Sequence, residues 1–265
     1  MGDHSETGRS IIKSDHLGKA RRLLERIYTD EMTFPGSPVN AQLIRLNLDH
    51  AERVKRNAIE ISLGEHLEVP VLELAAILHD IAKLNHRDAG SKGIDTWHHH
   101  YRGAALARQF VLSELQDDPL AERIAQMIDT HSDIPFIRRY WLQRYATNLP
   151  GPRTPEDFAL RDADVIDMLW VGGMSKIVQF RQAPGSVFYA EDGGDIQKAI
   201  LSAQISFQES ASVITTNTAR KMAGERITIV KSFFDRAILV KSLQEFIDIC
   251  DEFVARQHSF PASGL

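Results

Sequence analysis

One segment constrains the fold of this chain more than any other, because it is apolar on nearly every helical face. Residues 71–84 read Val-Leu-Glu-Leu-Ala-Ala-Ile-Leu-His-Asp-Ile-Ala-Lys-Leu. Alanine and leucine favour helix over strand, and a helix that is hydrophobic all round lies inside a protein rather than on its surface. We therefore predict a helix over 71–84 at the centre of the core.

Apolar residues recur at helical spacing along most of the remaining chain. A first helix is predicted after Ser14, followed by helices over about 38–64, 97–114, 117–131 and 155–170 and two more between about 195 and 257. Ser37 is predicted to cap the second helix, and Thr154 with Pro155 marks the start of another. No segment reads as a convincing strand or a long linker. We expect one all-α domain over 1–265, with a motif core at about 40–170 and the helices of 195–257 packing on it.

Composition and charge narrow the classes of function. Hydrophobic residues make up 43% of the 265 residues and charged residues 25%, as in ordinary globular proteins. The formal net charge of −5 argues against general affinity for nucleic acid or an anionic membrane. No apolar run is long enough for a transmembrane helix, and the polar first ten residues do not read as a secretion signal. We expect a soluble, cytoplasmic protein, in which the single cysteine, Cys250, is neither paired nor a nucleophile.

Two ionisable residues, His79 and Asp80, lie near the end of the predicted central helix. Burial of a charged side chain is costly unless a partner compensates for it. A divalent cation is one such partner for imidazole and carboxylate ligands, and a salt bridge from Asp80 to Lys83 is the ordinary alternative. Histidines and aspartates recur on the predicted helices before and after this one, at positions 50, 98–100, 131 and 164. Helices that each contribute one such group suit a bundle with ligands in one cavity.

A histidine, a His-Asp pair and a distant aspartate, in this order, resemble the HD-domain superfamily of metal-dependent phosphohydrolases. The matching residues are His50, His79, Asp80 and Asp164. Further similarity to a branch of small bacterial nucleotide-hydrolase-like members lies in the runs 50–58, 74–81, 99–104, 162–169 and 218–226. The resemblance therefore covers roughly residues 40–245.

This resemblance implies an HD-domain helical bundle that holds a divalent metal ion with those four residues. In some members two more histidines hold a second metal, and His99 and His131 match those positions. His99 is preferred over His98 and His100 because it precedes the Gly-Ala pair by four residues, and the other two are expected to be exposed. For His131, a histidine at a helix C-terminus is the open alternative. Manganese or magnesium is the expected metal, and iron, nickel and zinc suit the same ligands.

The implied activity is hydrolysis of a phosphoester or phosphoanhydride bond in a nucleotide or similar small phosphate compound. Asp80 would ligate the metal and orient the attacking water. Lys83 and Arg53 lie one turn beyond His79 and His50, which makes them candidate phosphate contacts. Each has an ordinary salt bridge or a solvated charge as its alternative.

Several neighbouring residues are assigned less directly. The polar loop 85–96 could cover the substrate. Trp97 and Tyr101 could stack on a base, although core packing is the better expectation for both. Asp162 could reach a histidine of the site or face water.

Two other functions stay open. The six-residue set could serve a di-iron oxygenase, and a non-catalytic nucleotide-sensing module could retain the pocket without turnover. The sequence does not determine the base of the substrate, the leaving group, the metal or the oligomeric state, for which a homodimer stays open.

Overall fold

The computed structural model describes residues 12–31, 38–83, 99–145, 148–169 and 196–258. These residues form ten α-helices and no strand, which confirms the all-α prediction. In chain order the helices are α1 (Ser14–Glu31), α2 (Pro38–Gly64), α3 (Val69–Leu78), α4 (His99–Glu114), α5 (Asp118–Thr130), α6 (Pro135–Tyr145), α7 (Pro155–Met168), α8 (Ile196–Ser212), α9 (Asn217–Ala237) and α10 (Leu243–His258).

Helix α3 lies at the centre of the larger hydrophobic core, as its composition predicts. It packs against α1, α2, α4, α5 and α7, and every residue from Leu74 to Leu78 is buried. The predicted C-terminal boundary at residue 84 is wrong, because the helix ends at Leu78. Beyond it the Ile81 N–H donates to the Leu78 carbonyl and the Lys83 N–H to the Asp80 carbonyl, each three residues back. These tighter turns place His79 and Asp80 after the helix rather than on it.

The helix α7 begins where the sequence predicts. The Thr154 hydroxyl accepts a hydrogen bond from the Asp157 N–H at 3.2 Å, and the Asp157 carboxylate accepts one from the Thr154 N–H at 2.9 Å. This reciprocal pair satisfies two amide donors that the helix itself leaves free. Helix α2 begins at Pro38, while its predicted cap, Ser37, lies outside the described residues.

Two features of the helix order differ from the prediction. Helix α6 is absent from the predicted set, and the C-terminal part contains three described helices instead of two. The break at 238–242, which was not predicted, contains no glycine or proline, the residues that most often mark the end of a helix. Ser242 instead caps the start of α10, since its hydroxyl accepts a hydrogen bond from the Glu245 N–H in the first turn.

The three C-terminal helices share a smaller hydrophobic cluster that includes Phe233, Phe234 and Phe246. Two of them also reach the main core, because α9 packs against α2 and α7, and α8 packs against α6 and α7. The organisation of residues 1–265 as a single domain stays a prediction. None of the described helices combines the length and apolar character needed to cross a membrane.

The contact between α2 and α9 generates a stability prediction at Gly64. A Cβ atom at this position would lie 2.2 Å from the Thr218 hydroxyl oxygen. We expect Gly64→Ala to lower the free energy of unfolding by about 1–3 kcal/mol through overpacking, measured by urea denaturation. Adding Thr218→Ala should recover most of the loss.

Gly224 in α9 provides the matched control, because no atom lies within 4 Å of a Cβ built there. Gly224→Ala should stabilise the helix by roughly 0.5–1 kcal/mol. Equal effects of Gly64→Ala and Gly224→Ala would contradict the close contact.

Candidate metal centre

Six buried side chains from five parts of the fold meet beside the end of α3. Helix α2 contributes one histidine, and the turn after α3 contributes the His-Asp pair. A further histidine lies at the start of α4 and another at the end of α5, and α7 contributes an aspartate. They are His50, His79, Asp80, His99, His131 and Asp164, and none is more than 7% exposed. The structure therefore brings together all six residues that the sequence predicts as metal ligands.

Hydrogen bonds determine which ring nitrogen faces the centre in three of the histidines. Nδ1 of His79 lies 2.7 Å from the Ala76 carbonyl oxygen, and Nδ1 of His131 lies 2.5 Å from the Ile128 carbonyl oxygen. Nδ1 of His50 lies 2.6 Å from Oδ2 of Asp167. These partners only accept hydrogen bonds, so each Nδ1 carries a proton, and in its neutral form each ring would present a bare Nε2 lone pair.

The bare nitrogens and the carboxylate oxygens converge at contact distances. Nε2 of His50 lies 3.2 Å from Nε2 of His79, from Oδ2 of Asp80 and from Oδ1 of Asp164. On the other side of Asp80, its Oδ1 lies 3.1 Å from Nε2 of His99, which lies 3.3 Å from Nε2 of His131. Electron pairs therefore face electron pairs within one buried volume.

Two carboxylate oxygens in this volume have no hydrogen-bond partner. They are Oδ1 of Asp80 and Oδ1 of Asp164, both shielded from solvent. A buried acceptor left without a partner is costly, and a cation removes that cost. Three overlapping groups of these side chains could each hold a metal ion, namely His50-His79-Asp80, His79-His131-Asp164 and Asp80-His99-His131. Nitrogen and oxygen donors of this kind fit a divalent cation.

The electrostatics maintain the protonation states that metal binding requires. Burial lowers the pKa of His79 and of His99 below the ordinary histidine value, which favours their neutral forms. Burial alone would raise the pKa of the Asp80 carboxyl, but the Lys83 ammonium and the neighbouring imidazoles hold it well below its usual range. Burial likewise opposes ionisation of Asp164, whereas the imidazole of His50, when it is protonated, lowers the pKa of this carboxyl through its hydrogen bond and charge. Neutral imidazoles and ionised carboxylates are the forms that bind metals.

Lys83 lies beside the centre, with its Nζ 2.5 Å from Oδ2 of Asp80. The salt bridge between Asp80 and Lys83, which was the predicted alternative to a metal site, is thus present within the same cluster of groups. Although burial lowers the pKa of the Lys83 ammonium, the charges of Asp80 and Asp164 raise it by more. Its side chain remains 18% exposed.

Asp167 is the residue of this centre that the sequence reasoning missed. Its carboxylate bonds to Nδ1 of His50 and to Arg53, whose Nε lies 2.5 Å from Oδ1. The available signal was spacing, because Asp164 and Asp167 lie three residues apart on α7, as His50 and Arg53 do on α2. Burial would raise the pKa of Asp167, but the bonds from His50 and Arg53 lower it to about 2.

Three neighbouring expectations are wrong. Tyr101 is 70% exposed rather than packed in the core, because it lies two residues from both His99 and Gly103 and so faces away from their buried side. His100 is buried rather than exposed, since it shares a helix face with Gly103 and Ala104. Asp162 neither reaches a histidine of the centre nor faces water. Its buried carboxylate accepts hydrogen bonds from the N–H groups of residues 215 and 216.

The remaining sequence predictions near the centre concern His98, Trp97 and the loop 85–96, all of which lie outside the described residues. Cys250 is buried in α10 and is not part of a disulfide.

The family comparison agrees with this geometry. Residues 47–169 match the HD domain, and this range contains all six converging side chains. The fold and the side-chain cluster place the chain in the class of metal-dependent hydrolases. Residues 47–169 of the chain are an HD domain.

Several solved structures share the fold. Bacillus subtilis YpgQ in complex with ADP is 18% identical with a TM-score of 0.56, over 85% of this chain and 95% of that one. The Listeria innocua protein Lin1889 is 14% identical with a TM-score of 0.54, over 85% and 95%. A Lactobacillus plantarum protein is 17% identical with a TM-score of 0.51, over 85% and 96%. No curated protein sequence matches the chain significantly.

A stability prediction concerns the buried Tyr28 of α1. Its hydroxyl donates a 2.8 Å hydrogen bond to the backbone carbonyl of Asp80 and so holds the turn that carries the His-Asp pair. We expect Tyr28→Phe to lower the free energy of unfolding by about 1–3 kcal/mol, because the buried carbonyl loses its donor. Thr29→Ala removes an exposed hydroxyl bond to the Glu25 carbonyl and should cost less than about 0.5 kcal/mol. Chemical denaturation of both variants tests this, and similar losses would contradict it.

A pH prediction follows from Asp167. Its pKa of about 2 in the folded protein lies below the value of 3.8 for an unperturbed aspartate. The carboxylate therefore stabilises the fold fully above about pH 4, and this contribution disappears as pH falls through 2. Without divalent metal, the wild type should lose about 2 kcal/mol more stability between pH 4 and pH 2 than Asp167→Asn does. Denaturation curves at a series of pH values measure this difference, and parallel losses in the two proteins would contradict it.

Proposed function

We propose that this protein is a phosphohydrolase that cleaves a phosphoester or phosphoanhydride bond in a nucleotide or a similar small phosphate compound. The observation that carries the proposal is the convergence of bare imidazole nitrogens with two buried carboxylate oxygens that lack partners. In this proposal His50, His79, Asp80 and Asp164 hold a divalent metal ion, with manganese or magnesium expected.

When bound, such an ion supplies a water of lowered pKa and neutralises charge on a phosphoryl oxygen. The protein contributes the positions of the reacting groups. Asp80 lies at the middle of the cluster, with Oδ2 toward His50 and Oδ1 toward His99. A carboxylate with one oxygen to spare in this place can accept a hydrogen bond from the attacking water and orient it.

Lys83 and Arg53 have different roles in this proposal. The ammonium of Lys83 is partly exposed next to Asp80, so a phosphate at the edge of the centre can replace Asp80 as its partner. Arg53 donates from Nε and Nη2 to Asp167. We therefore propose that Lys83 contacts the phosphate, whereas Arg53 acts mainly through Asp167 and His50.

The nucleotide part of the proposal has two supports. The sequence runs resemble the nucleotide-hydrolase-like branch of the superfamily, and YpgQ, which shares the fold, was crystallised in complex with ADP. The deep position of the cluster further favours a small phosphate compound over a macromolecular substrate.

A second candidate function is favoured by the pair His99 and His131. Their Nε2 atoms lie 3.3 Å apart beside Oδ1 of Asp80, which completes a six-residue set suited to two metals. A di-iron oxygenase would use such a set. Two irons per chain and consumption of oxygen without phosphate release would favour it over the hydrolase.

The direct test measures release of phosphate and pyrophosphate from nucleoside mono-, di- and triphosphates with Mn²⁺ or Mg²⁺. We expect release that stops when a chelator is added. Asp80→Ala should reduce kcat by roughly 100-fold or more. Lys83→Ala should raise KM by about tenfold or more, because it removes a charge-assisted hydrogen bond.

Asp162→Asn is the matched control, since it alters another buried carboxylate of α7 that bonds to the backbone at Thr215 and Thr216. Its activity per folded molecule should equal that of the wild type. Absence of chelator-sensitive release from every nucleotide would contradict the nucleotide substrate. Unchanged kinetics in Lys83→Ala would remove Lys83 from the phosphate site.

A further inference from the structure

We propose that Asp167, held by Arg53, is a positioning residue that determines the tautomer of His50 and thereby the affinity of the centre for a divalent metal. This inference deepens the proposed function and rests on it for the metal. The juxtaposition that carries it is a carboxylate bonded on one side to the imidazole of His50 and on the other to a guanidinium.

His50 has a central place among the converging groups. Its Nε2 lies 3.2 Å from ligand atoms of three neighbours, namely His79, Asp80 and Asp164. His50 can bind a metal ion beside these neighbours only when its Nε2 carries no proton, because a protonated nitrogen has no lone pair to donate. The tautomer of one ring therefore controls a large part of the site.

The partner of His50 differs from the partners of the other rings. His79 and His131 donate from Nδ1 to backbone carbonyl groups of their own helices, so local backbone geometry determines their tautomers. His50 instead donates to a side chain of another helix. A carboxylate on the far nitrogen both holds the proton there and increases the basicity of the ligating nitrogen.

Arg53 prevents the carboxylate from turning away. Its Nε lies 2.5 Å from Oδ1 of Asp167 and its Nη2 lies 3.2 Å from Oδ2, the oxygen that also meets His50. Planar two-point pairing of this kind fixes the plane of the carboxylate. The charges of Arg226 on α9 and Asp167 also interact, so groups of two other helices, α2 and α9, act on this one carboxylate.

The geometry makes a specific prediction for Asp167→Asn. The shortest bond of Arg53 goes to Oδ1, and a guanidinium accepts no hydrogen bond. The amide oxygen should therefore stay with Arg53, and the amide NH₂ should face Nδ1 of His50. His50 would then accept at Nδ1 and carry its proton on Nε2, the wrong nitrogen for a metal ligand.

The first measurement is made on metal-free protein in chelator, labelled with ¹⁵N in the histidine rings. Two-bond ¹H–¹⁵N correlation spectra distinguish the two tautomers, and the signals missing from His50→Gln identify His50. At a pH where the ring of His50 is neutral, we expect the Nδ1–H form in the wild type and the Nε2–H form in Asp167→Asn. A merely structural role of Asp167 would not invert the tautomer in a folded variant.

The second measurement is the affinity for Mn²⁺ alone, by titration calorimetry. Asp167→Asn should bind Mn²⁺ about 10–100-fold more weakly than the wild type. Arg53→Gln leaves the His50–Asp167 bond in place and should keep the Nδ1–H tautomer with a smaller loss of affinity. Asp162→Asn, on the same helix and equally buried, should match the wild type in tautomer and affinity even where its melting temperature falls.

The outcomes separate this inference from the proposed function. An Nε2–H tautomer of His50 in the wild type overturns it, even where Asp167→Asn does not fold. An unchanged tautomer in folded Asp167→Asn overturns it, as does an inverted tautomer with unchanged Mn²⁺ affinity. A wild type that shows the expected tautomers but binds no divalent metal overturns the proposed function and the metal half of the inference, and leaves the positioning of the ring supported.

Discussion

The structure depends on one unfavourable arrangement, in which bare imidazole nitrogens and carboxylate oxygens face each other inside an apolar core. His50, His79, Asp80 and Asp164 approach one another within 3.2 to 3.8 Å. A chain could relieve this repulsion by protonating a ring or turning a side chain away. Here hydrogen bonds on the far side of three rings oppose the second escape, because each ring would lose the acceptor of its Nδ1 if it turned. The remaining electron pairs are then available only to a cation.

The helices serve this arrangement by supplying rigid and well-packed supports. Helix α3 is apolar except for Glu73 and ends before His79, and the tight turns that follow it carry His79 and Asp80. Support also comes from beyond residues 47–169, which match the HD domain. Tyr28 of α1 bonds to the Asp80 carbonyl, and Arg226 of α9 acts on Asp167. Elements on both sides of the matched domain therefore interact with its centre.

Much of the centre could be predicted because its members belong to helices with clear periodicity. The His-Asp pair ends the most apolar segment of the chain, where an ionisable residue needs a partner, and the other ligand candidates recur once per helix in order. Asp167 escaped notice because a carboxylate that faces a ligand has the same local pattern as one that faces water. Asp162 shows the reverse error, since it is even closer to Asp164 in sequence than Asp167 is, yet it bonds to the backbone before α9.

The sequence by itself determined the helical class, the central position of α3 and the set of groups that meet there, because apolar periodicity and residue chemistry are local properties. Three features could be read only from the folded structure. They are the ring nitrogen that faces inward in each histidine, the pairing of cations with carboxylates, and the ends of helices that lack a terminal glycine or proline. Those features depend on distances between residues far apart in the chain, such as the 2.6 Å contact of His50 with Asp167, which lie 117 positions apart. Such a contact exists only once packing has brought α2 and α7 together.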